Sequence, residues 1–487
     1  MSNAFNIANP DKIYVDGAWR PASGGQFHLT NPATEEVFIS VAQASEQDVD
    51  VVVAAAVKAF EEGPWPQYSP AKRAEYIRAM AAALGERQAD LEQAFIQQVG
   101  GLATFAPFAV GGATATLARY ADIAESYAWE EVVASSVPGH EARIMRDPVG
   151  VVAAIAPWNM PYSIMIQKIA PALAAGCPVI IKPSPETPLE AYIIAEAAEK
   201  AGLPPGVIGL LPADRDASDY LVRHSGVDKI SFTGSTLAGK RIGSVAAERV
   251  ARVTLELGGK SPAIVLEDAP VEMAADIIAG SGCMLTGQVC ALLSRVIVPE
   301  SMHDALAEAI AQRFAAVNVG DPNEPTTQMG PIAMARQLER VQSYITLGVE
   351  EGATLKCGGG RPANLEKGYY IEPTLFTHVD NSMRIAREEI FGPVLVLIPY
   401  RDLDHAIEIA NDTSYGLNSS VITTDASQVT AIGRRLRAGN VAQNGLKADF
   451  ELPFGGFKES GVGREGGVEG IQPYTETKII LTEVASA

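Results

Sequence analysis

At 487 residues the chain is too long for one comfortable hydrophobic core, so two or three domains are expected. Hydrophobic residues at 47% and charged residues at 20% fit a soluble α/β protein, and no run reaches the roughly 18 apolar residues a membrane span needs. A formal charge of -20 repels a phosphate backbone, which excludes nucleic acid as a partner.

In chain order, the first thirty residues mix Asp11, Lys12, Asp16 and Arg20 with apolar positions and lack a basic start followed by an apolar region. A secretory signal is therefore not expected, and a cytoplasmic location is. The run "DVDVVVAAAVKAF" reads as a packing helix. In "EEVVASSVPGHEARIMRDPVG" the Pro138-Gly139 turn signal lies between two strand-like runs, which predicts a hairpin. From residue 150 strands and helices alternate: "GVVAAIAP", a helix over Pro161 to Ala175, "PVIIKPS", the helix "TPLEAYIIAEAAEKAG" stopped by Gly202, then "GVIGLLP", "VDKISFTGS" and "VTLELGG" with helices between them. Such a series implies a parallel sheet covered by helices on both faces.

A second alternating series runs from "SPAIVLED" through a helix at Met302 to Val317 and on past "EEIFGPVLVLIPY" and "AIEIANDT". Within it "CMLTGQVCALLSR", Cys283 to Arg295, reads as one helix carrying two of the four cysteines. The chain closes on the strand-like "TKIILTEVASA". Isolated hairpins are marginal in water, so the hairpin and the terminal strand suit edge pairing with another subunit; lying on their own domain fits the pattern equally well. There is no repeat of fixed period.

Cys177, Cys283, Cys290 and Cys357 contain no C-x-x-C pair and no zinc-ligand spacing, so free thiols are expected and no metal. Four stretches have two readings each. In "FTGSTLAG", Gly234 and Ser235 either expose backbone N–H groups to a phosphate at a helix N-terminus or form an ordinary cap. Asn159 in "APWNMP" either donates its amide into the ligand crevice beyond the strand ends or caps the next helix. Glu256 in "LELGGKSP" is either a general base on the seam between the two series or a solvated turn residue. Cys290, after the glycine of "GQVC", is the candidate nucleophile against the alternative of an inert buried thiol, and Cys283 is assigned to the core.

"APWNMP", "KPSPETPL", "FTGST", "LELGGKSP", "GQVC", "EEIFGPV", "NDTSYGL" and "PFGGFKESGVGRE", in this order, closely resemble the aldehyde dehydrogenase superfamily, over about Ile13 to Val484. The 34 residues between Glu256 and Cys290 agree with it. The resemblance implies an α/β fold with a Rossmann-type cofactor domain (1–129 and 148–257), a second α/β catalytic domain (258–453), a segment returning to the cofactor domain (454–472), and a small β oligomerisation element (130–147 and 473–487). It implies a homodimer or homotetramer.

It further implies a thiohemiacetal and then a thioester on Cys290, an oxyanion held by Asn159 and the Cys290 N–H, and hydrolysis by water activated at Glu256. Lys168 and Glu465 match a proton path, for which a structural ion pair is the alternative. Trp158, Lys182, Ser184, Gly234, Ser235, Leu257, Glu389 and Phe391 match the positions that hold NAD. One departure concerns the third position after Lys182, where many NAD-preferring members carry a glutamate. Here it is Pro185, with Glu186 one step later, which leaves room for NADP beside NAD. Met160, Ile164, Val289, Ala291 and the loop from Lys447 to Phe454 match pocket-lining regions. The apolar residues flanking Cys290 imply a hydrophobic aldehyde, of medium-chain, terpenoid or aromatic type, as the small-molecule substrate. The competing readings are a coenzyme-A-acylating dehydrogenase, an esterase using the same cysteine, and a non-catalytic binding protein of this fold.

Overall fold

The computed structural model describes residues 6–484; residues 1–5 and 485–487, the outer ends of the first and last expected segments, lie outside the described residues. The alternation from residue 150 builds an eight-stranded sheet in the order Gly461–Val462, Arg252–Glu256, Lys229–Thr233, Val152–Ile155, Val179–Lys182, Ile208–Leu210, Lys12–Val15, Ala18–Pro21. Its inner strands run parallel, and strands from the two chain ends close it antiparallel on either side. Helices on both faces leave no polar side to the strands, so Val152–Ile155 and Val179–Lys182 are buried at every position. The helix Pro161–Ala175 starts on a proline, whose missing N–H costs nothing there, and stops where Gly176 turns left-handed at φ 96°.

The second series forms a seven-stranded sheet in the order Thr354–Cys357, Thr374–Thr377, Val394–Tyr400, Arg295–Pro299, Pro262–Val265, Asn418–Ile422, Asn440–Gln443. The chain then crosses back, and Gly461–Val462 pairs with Leu255 and Glu256 of the first sheet. The hairpin strands Glu130–Ala134 and His140–Pro148 form a third sheet with the terminal strand Thr475–Glu483, paired from Thr475↔Pro148 to Glu483↔His140. Val132, Ile479 and Leu481 on this sheet are exposed. No helix among the described residues is long and apolar enough to cross a membrane.

One expectation fails. Cys283 and Cys290 do not share a helix: the helix Val271–Cys283 ends at the first of them, and the chain turns through Leu285 and Thr286, both at positive φ, before Gly287. Cys290 therefore lies in a loop. The break is steric, because Gly287 sits at φ 69° and a Cβ on it would be 2.2 Å from the Gly392 carbonyl, so the two loops pass in backbone contact. Gly287→Ala is expected to cost about 3 kcal/mol, read as a melting temperature several degrees lower by calorimetry; an unchanged melting temperature would refute this packing argument.

Candidate active site

Asn159, Glu256 and Cys290 come together from three segments of the chain. Asn159 does not cap the helix Pro161–Ala175: Met160 occupies the cap position, and the buried Asn159 Nδ2 donates to the Gln288 carbonyl at 2.9 Å, two residues before Cys290. Glu256 is not a solvated turn residue. It ends its strand 4% exposed, with no hydrogen-bond partner on either carboxylate oxygen among the described residues. Gly455 of the returning segment passes so close that a Cβ there would lie 2.8 Å from Glu256 Oε1. Burial first, and repulsion from Glu465 second, push the Glu256 carboxyl well above its ordinary range.

Cys290 is a free thiol whose sulfur is faced by its own N–H and that of Ala291. Burial, with Glu389 and Glu256 facing it, pushes the thiol up to about 12, against which the two N–H groups act weakly. The thiol is thus protonated near neutral pH, and burial disfavours charge on the carboxylate beside it. Cys283 is buried in the core of the second sheet, as expected.

At the other face of the cysteine loop, the Gly259 N–H donates to Glu389 Oε1 at 3.0 Å. Burial raises the Glu389 carboxyl to about 7. Phe391 stands at φ 62° with its ring edge-on to Trp158 at 5.1 Å. Sequence reasoning overlooked the residues that hold this turn: Gln337 Nε2 donates to the Ile390 and Phe391 carbonyls, and Arg340 donates to the Glu389 carbonyl. It also overlooked Gln288, which sits in the quoted "GQVC" and whose side chain accepts from the Ala333 N–H while its carbonyl takes Asn159. The signal for Gln288 was present in that a buried amide beside a nucleophile needs partners for both of its ends.

Lys182 ends the strand Val179–Lys182, and its ammonium donates no hydrogen bond among the described residues. Burial lowers its ammonium to about 8, with Glu186 and Asp214 working in the opposite direction. The Ser184 hydroxyl donates to Glu186, whose other oxygen pairs with Arg336 at 2.5 Å, so a carboxylate stands near Lys182 despite Pro185. Ser235 caps the helix Thr236–Glu248 by accepting from the Ala238 N–H, so the ordinary cap is real; Gly234 donates its N–H to the Glu256 carbonyl. The Leu257 N–H is taken by the Ser460 carbonyl. Lys168 Nζ and Glu465 Oε1 form a buried ion pair at 2.6 Å.

The expected pocket residues divide. Val289, Ala291 and Phe454 cluster with Cys290, Leu417 and Leu446. Met160 packs in a neighbouring group with Phe95 and Leu285, and Ile164 instead packs on the core of the first sheet. Helical period explains the split, since residues four apart share a face only when both belong to the helix, and Met160 precedes it.

A loop thiol, a carboxamide and a buried carboxylate converge between two α/β units, an arrangement whose chemistry suits an enzyme acting through a thiol. The sequence model of the aldehyde dehydrogenase family matches residues 19–480. Geranial dehydrogenase of Castellaniella defragrans is 44% identical over 470 residues, 96% of this chain and 98% of that protein. 3-Succinoylsemialdehyde-pyridine dehydrogenase of a Pseudomonas species is 40% identical over 476 residues, with 96% and 98% covered. Among solved structures, aldehyde dehydrogenase C of Pseudomonas syringae, crystallised with NAD+ and octanal, superposes with a TM-score of 0.95 at 41% identity, covering 100% of this chain and 99% of that one. Betaine aldehyde dehydrogenase of Staphylococcus aureus with NAD+ gives 0.96 at 34% identity, covering 99% and 96%. The chain belongs to the aldehyde dehydrogenase family of NAD(P)-dependent oxidoreductases.

The raised thiol yields a test. Iodoacetamide labelling of Cys290, followed by peptide mass mapping, is expected to accelerate about tenfold per pH unit between about pH 7 and about pH 9, because only the thiolate reacts and its fraction grows tenfold per unit below the thiol's own pKa. A rate flat over that range would show that the thiol is already ionised.

Proposed function

We propose that this enzyme oxidises a hydrophobic aldehyde to its carboxylic acid by covalent catalysis on Cys290. The reaction balances as aldehyde, water and NAD+ giving carboxylate, NADH and two protons. The observation that carries the hydrolytic reading is Glu256: a buried carboxylate that faces the Cys290 thiol and takes no hydrogen bond from the described residues can accept one from a water.

In this reading the Cys290 thiol loses its proton to solvent as the sulfur bonds to the aldehyde carbon, and the oxygen that gains charge is met by the Cys290 N–H and by Asn159 Nδ2 turning from the Gln288 carbonyl. NAD, when bound, supplies a cationic ring that favours the thiolate and accepts the hydride. The thioester left on Cys290 is opened by water whose proton passes to Glu256, and the carboxylate leaves as the thiol is restored. Glu465, the acceptor in the pair with Lys168, takes that proton in turn.

The residues present fit the dinucleotide. Lys182, buried and unpartnered, offers its ammonium to the adenosine ribose beside Ser184; Gly234 and Ser235 open a helix whose first-turn N–H groups suit the pyrophosphate. Glu389 has one oxygen that accepts no hydrogen bond among the described residues, available to the nicotinamide ribose. Phe391 and Trp158 would pack near the nicotinamide, and the Leu257 backbone would meet the carboxamide. The first sheet with its returning segment is then the cofactor unit and the second sheet the catalytic unit. Because Arg336 partly neutralises Glu186, NADP is accepted beside NAD.

Val289, Ala291, Phe454, Leu417 and Leu446 form an apolar wall around the thiol. That wall, together with a relative named for geranial and a structural neighbour solved with octanal, supports a terpenoid or medium-chain aldehyde. The exposed Val132, Ile479 and Leu481 support assembly as a homodimer or homotetramer through the three-stranded sheet. The four free cysteines suit a reducing, cytoplasmic setting.

Reduced-nicotinamide absorbance with matched aliphatic, terpenoid, aromatic and carboxylated aldehydes tests the assignment. Cys290→Ala is expected to abolish turnover, and Glu256→Gln to lower steady-state turnover by about a hundredfold or more while leaving a single-turnover burst. Preference for carboxylated aldehydes, or an acyl-thioester product when coenzyme A is added, would overturn the substrate or the hydrolytic reading. Glu186→Gln is expected to raise kcat/KM for NADP relative to NAD by about tenfold, since it removes a negative charge beside the position of the 2′-phosphate; an unchanged ratio would place Glu186 outside cofactor selection.

A further inference from the structure

The second sheet has two ends, and the candidate active site uses one of them. Cys290 lies just before the strand Arg295–Pro299 and Glu389 just before Val394–Tyr400, so that site stands at the amino ends of two parallel strands. The carboxyl ends, where open α/β sheets commonly take ligands, carry a second group of polar side chains. The strand Arg295–Pro299 leads through the short turn Glu300–Met302 into the helix His303–Ala315, which opens on His303 and Asp304. The strand Thr374–Thr377 is followed directly by His378. Both strands flank Val394–Tyr400 and run parallel to it, so the two histidines leave the sheet at the same end although they are far apart in the chain.

The three side chains meet there. One ring nitrogen of each histidine and one carboxylate oxygen of Asp304 lie within 4.8 Å of one another. The His303 and His378 rings stand edge to face at 64°, with His378 held in a left-handed backbone at φ 54°. His303 Nδ1 is 2.8 Å from Asp304 Oδ1, and His378 Nδ1 is 3.3 Å from Thr377 Oγ1.

His303 is the member that packing does not explain. It is 5% exposed, and its Nε2 is buried with no hydrogen-bond partner among the described residues. The ionised carboxylate of Asp304 can only accept, so Nδ1 of the neutral ring carries the proton and Nε2 is left with a bare lone pair. Burying an acceptor without a donor is unfavourable, and a leucine at this position would avoid the loss. A metal ion removes it, because a lone pair on neutral imidazole is what such an ion binds. The charge balance agrees. Lys356 stands near Asp304 but pairs with Glu308 at 2.8 Å, so two acids against one ammonium leave the surroundings net negative.

We propose that His303, Asp304 and His378 form a binding site for a transition-metal dication, which clamps the start of the helix His303–Ala315 to the turn after Thr374–Thr377. Two imidazoles and a carboxylate suit ions such as Zn2+ and Ni2+, whereas Mg2+ and Ca2+ prefer sets made of oxygen. Ligand atoms about 2.1 Å from a metal stand about 3–4 Å apart. Asp304 and His378 are exposed and close the remaining difference by side-chain rotation. Three protein ligands leave at least one position to water. The cysteine spacings that argue against zinc have no bearing on this cluster, which contains no cysteine. It lies across the sheet from Cys290 and Glu389, so it is separate from the reaction proposed above and does not depend on it.

Ni2+ is the probe, since imidazole suits it and thiolate selects softer ions. The full chain, without an affinity tag, is titrated by isothermal calorimetry beside His378→Gln, Asp304→Asn and Cys290→Ala. Wild type is expected to bind one Ni2+ at this site. His378→Gln is expected to weaken that binding by at least about tenfold, the loss that follows even from groups that only orient a ligand. Asp304→Asn is expected to weaken it by about tenfold, and Cys290→Ala to leave it unchanged. Ni2+ is also expected to raise the melting temperature of wild type and not that of His378→Gln, because an ion that binds only the folded chain stabilises it. If His378→Gln does not fold, the isosteric change at the exposed Asp304 carries the test. A wild type that binds no Ni2+, equal affinity in wild type and the folded ligand variants, or binding lost in Cys290→Ala overturns the proposal. So does Mg2+ bound at the same site as tightly as Ni2+.

Discussion

The antiparallel pairing of Gly461 and Val462 with Glu256 and Leu255 is the constraint on which the centre depends. It is possible because Gly461 has no side chain: a Cβ there would lie 2.2 Å from the Leu255 carbonyl. The pairing closes the first sheet with residues that have just left the second. It brings Gly455 against the Glu256 carboxylate and lets Phe454 and Glu465 exchange backbone hydrogen bonds of 2.6 and 2.8 Å. The apolar wall near the thiol and the acid of the buried ion pair are thus two ends of one short bridge. The returning chain also covers Glu256, and the water it excludes is what raises the carboxyl.

Burial of this kind has opposite consequences for the groups it encloses. The Glu256 carboxyl and the Cys290 thiol both rise, so the resting site avoids two adjacent negative charges. Lys182, Lys229 and Lys260 all fall, because desolvation disfavours whichever form is charged. Burial therefore works against the charged form of every one of these groups. A cationic ring beside the thiol would then stabilise the thiolate in surroundings of low polarity, where a charge acts more strongly than in water.

Much of this was legible in the chain. The helix Pro161–Ala175 and the hairpin about Pro138-Gly139 were readable from capping and turn chemistry, which are local. The break after Cys283 was not, because "MLTGQVC" has no proline and its sharp turn is imposed by the loop at Gly392, more than a hundred residues later. The same holds for the placement of Ile164 on the core and of Gln337 and Arg340 behind the Glu389 turn. Period identifies which face of an element is apolar, but not which other element will meet it. Asn159, Glu256 and Cys290 were readable as candidates because each is a polar residue at the end of an apolar strand or beside glycine, where packing has no need of it.

The strand Lys229–Thr233 shows where such reading stops. In "KISFT" the alternation of polar and apolar residues is that of an edge strand with one wet face, yet it lies in the interior of the sheet, between Val152–Ile155 and Arg252–Glu256. Pattern alone places its lysine in water. The fold places it under the Tyr474 ring, on the line of hydroxyls that leads to Glu465. A charged residue that violates the burial expected of its own strand, and is satisfied by weak partners, is retained against a cost that packing does not repay.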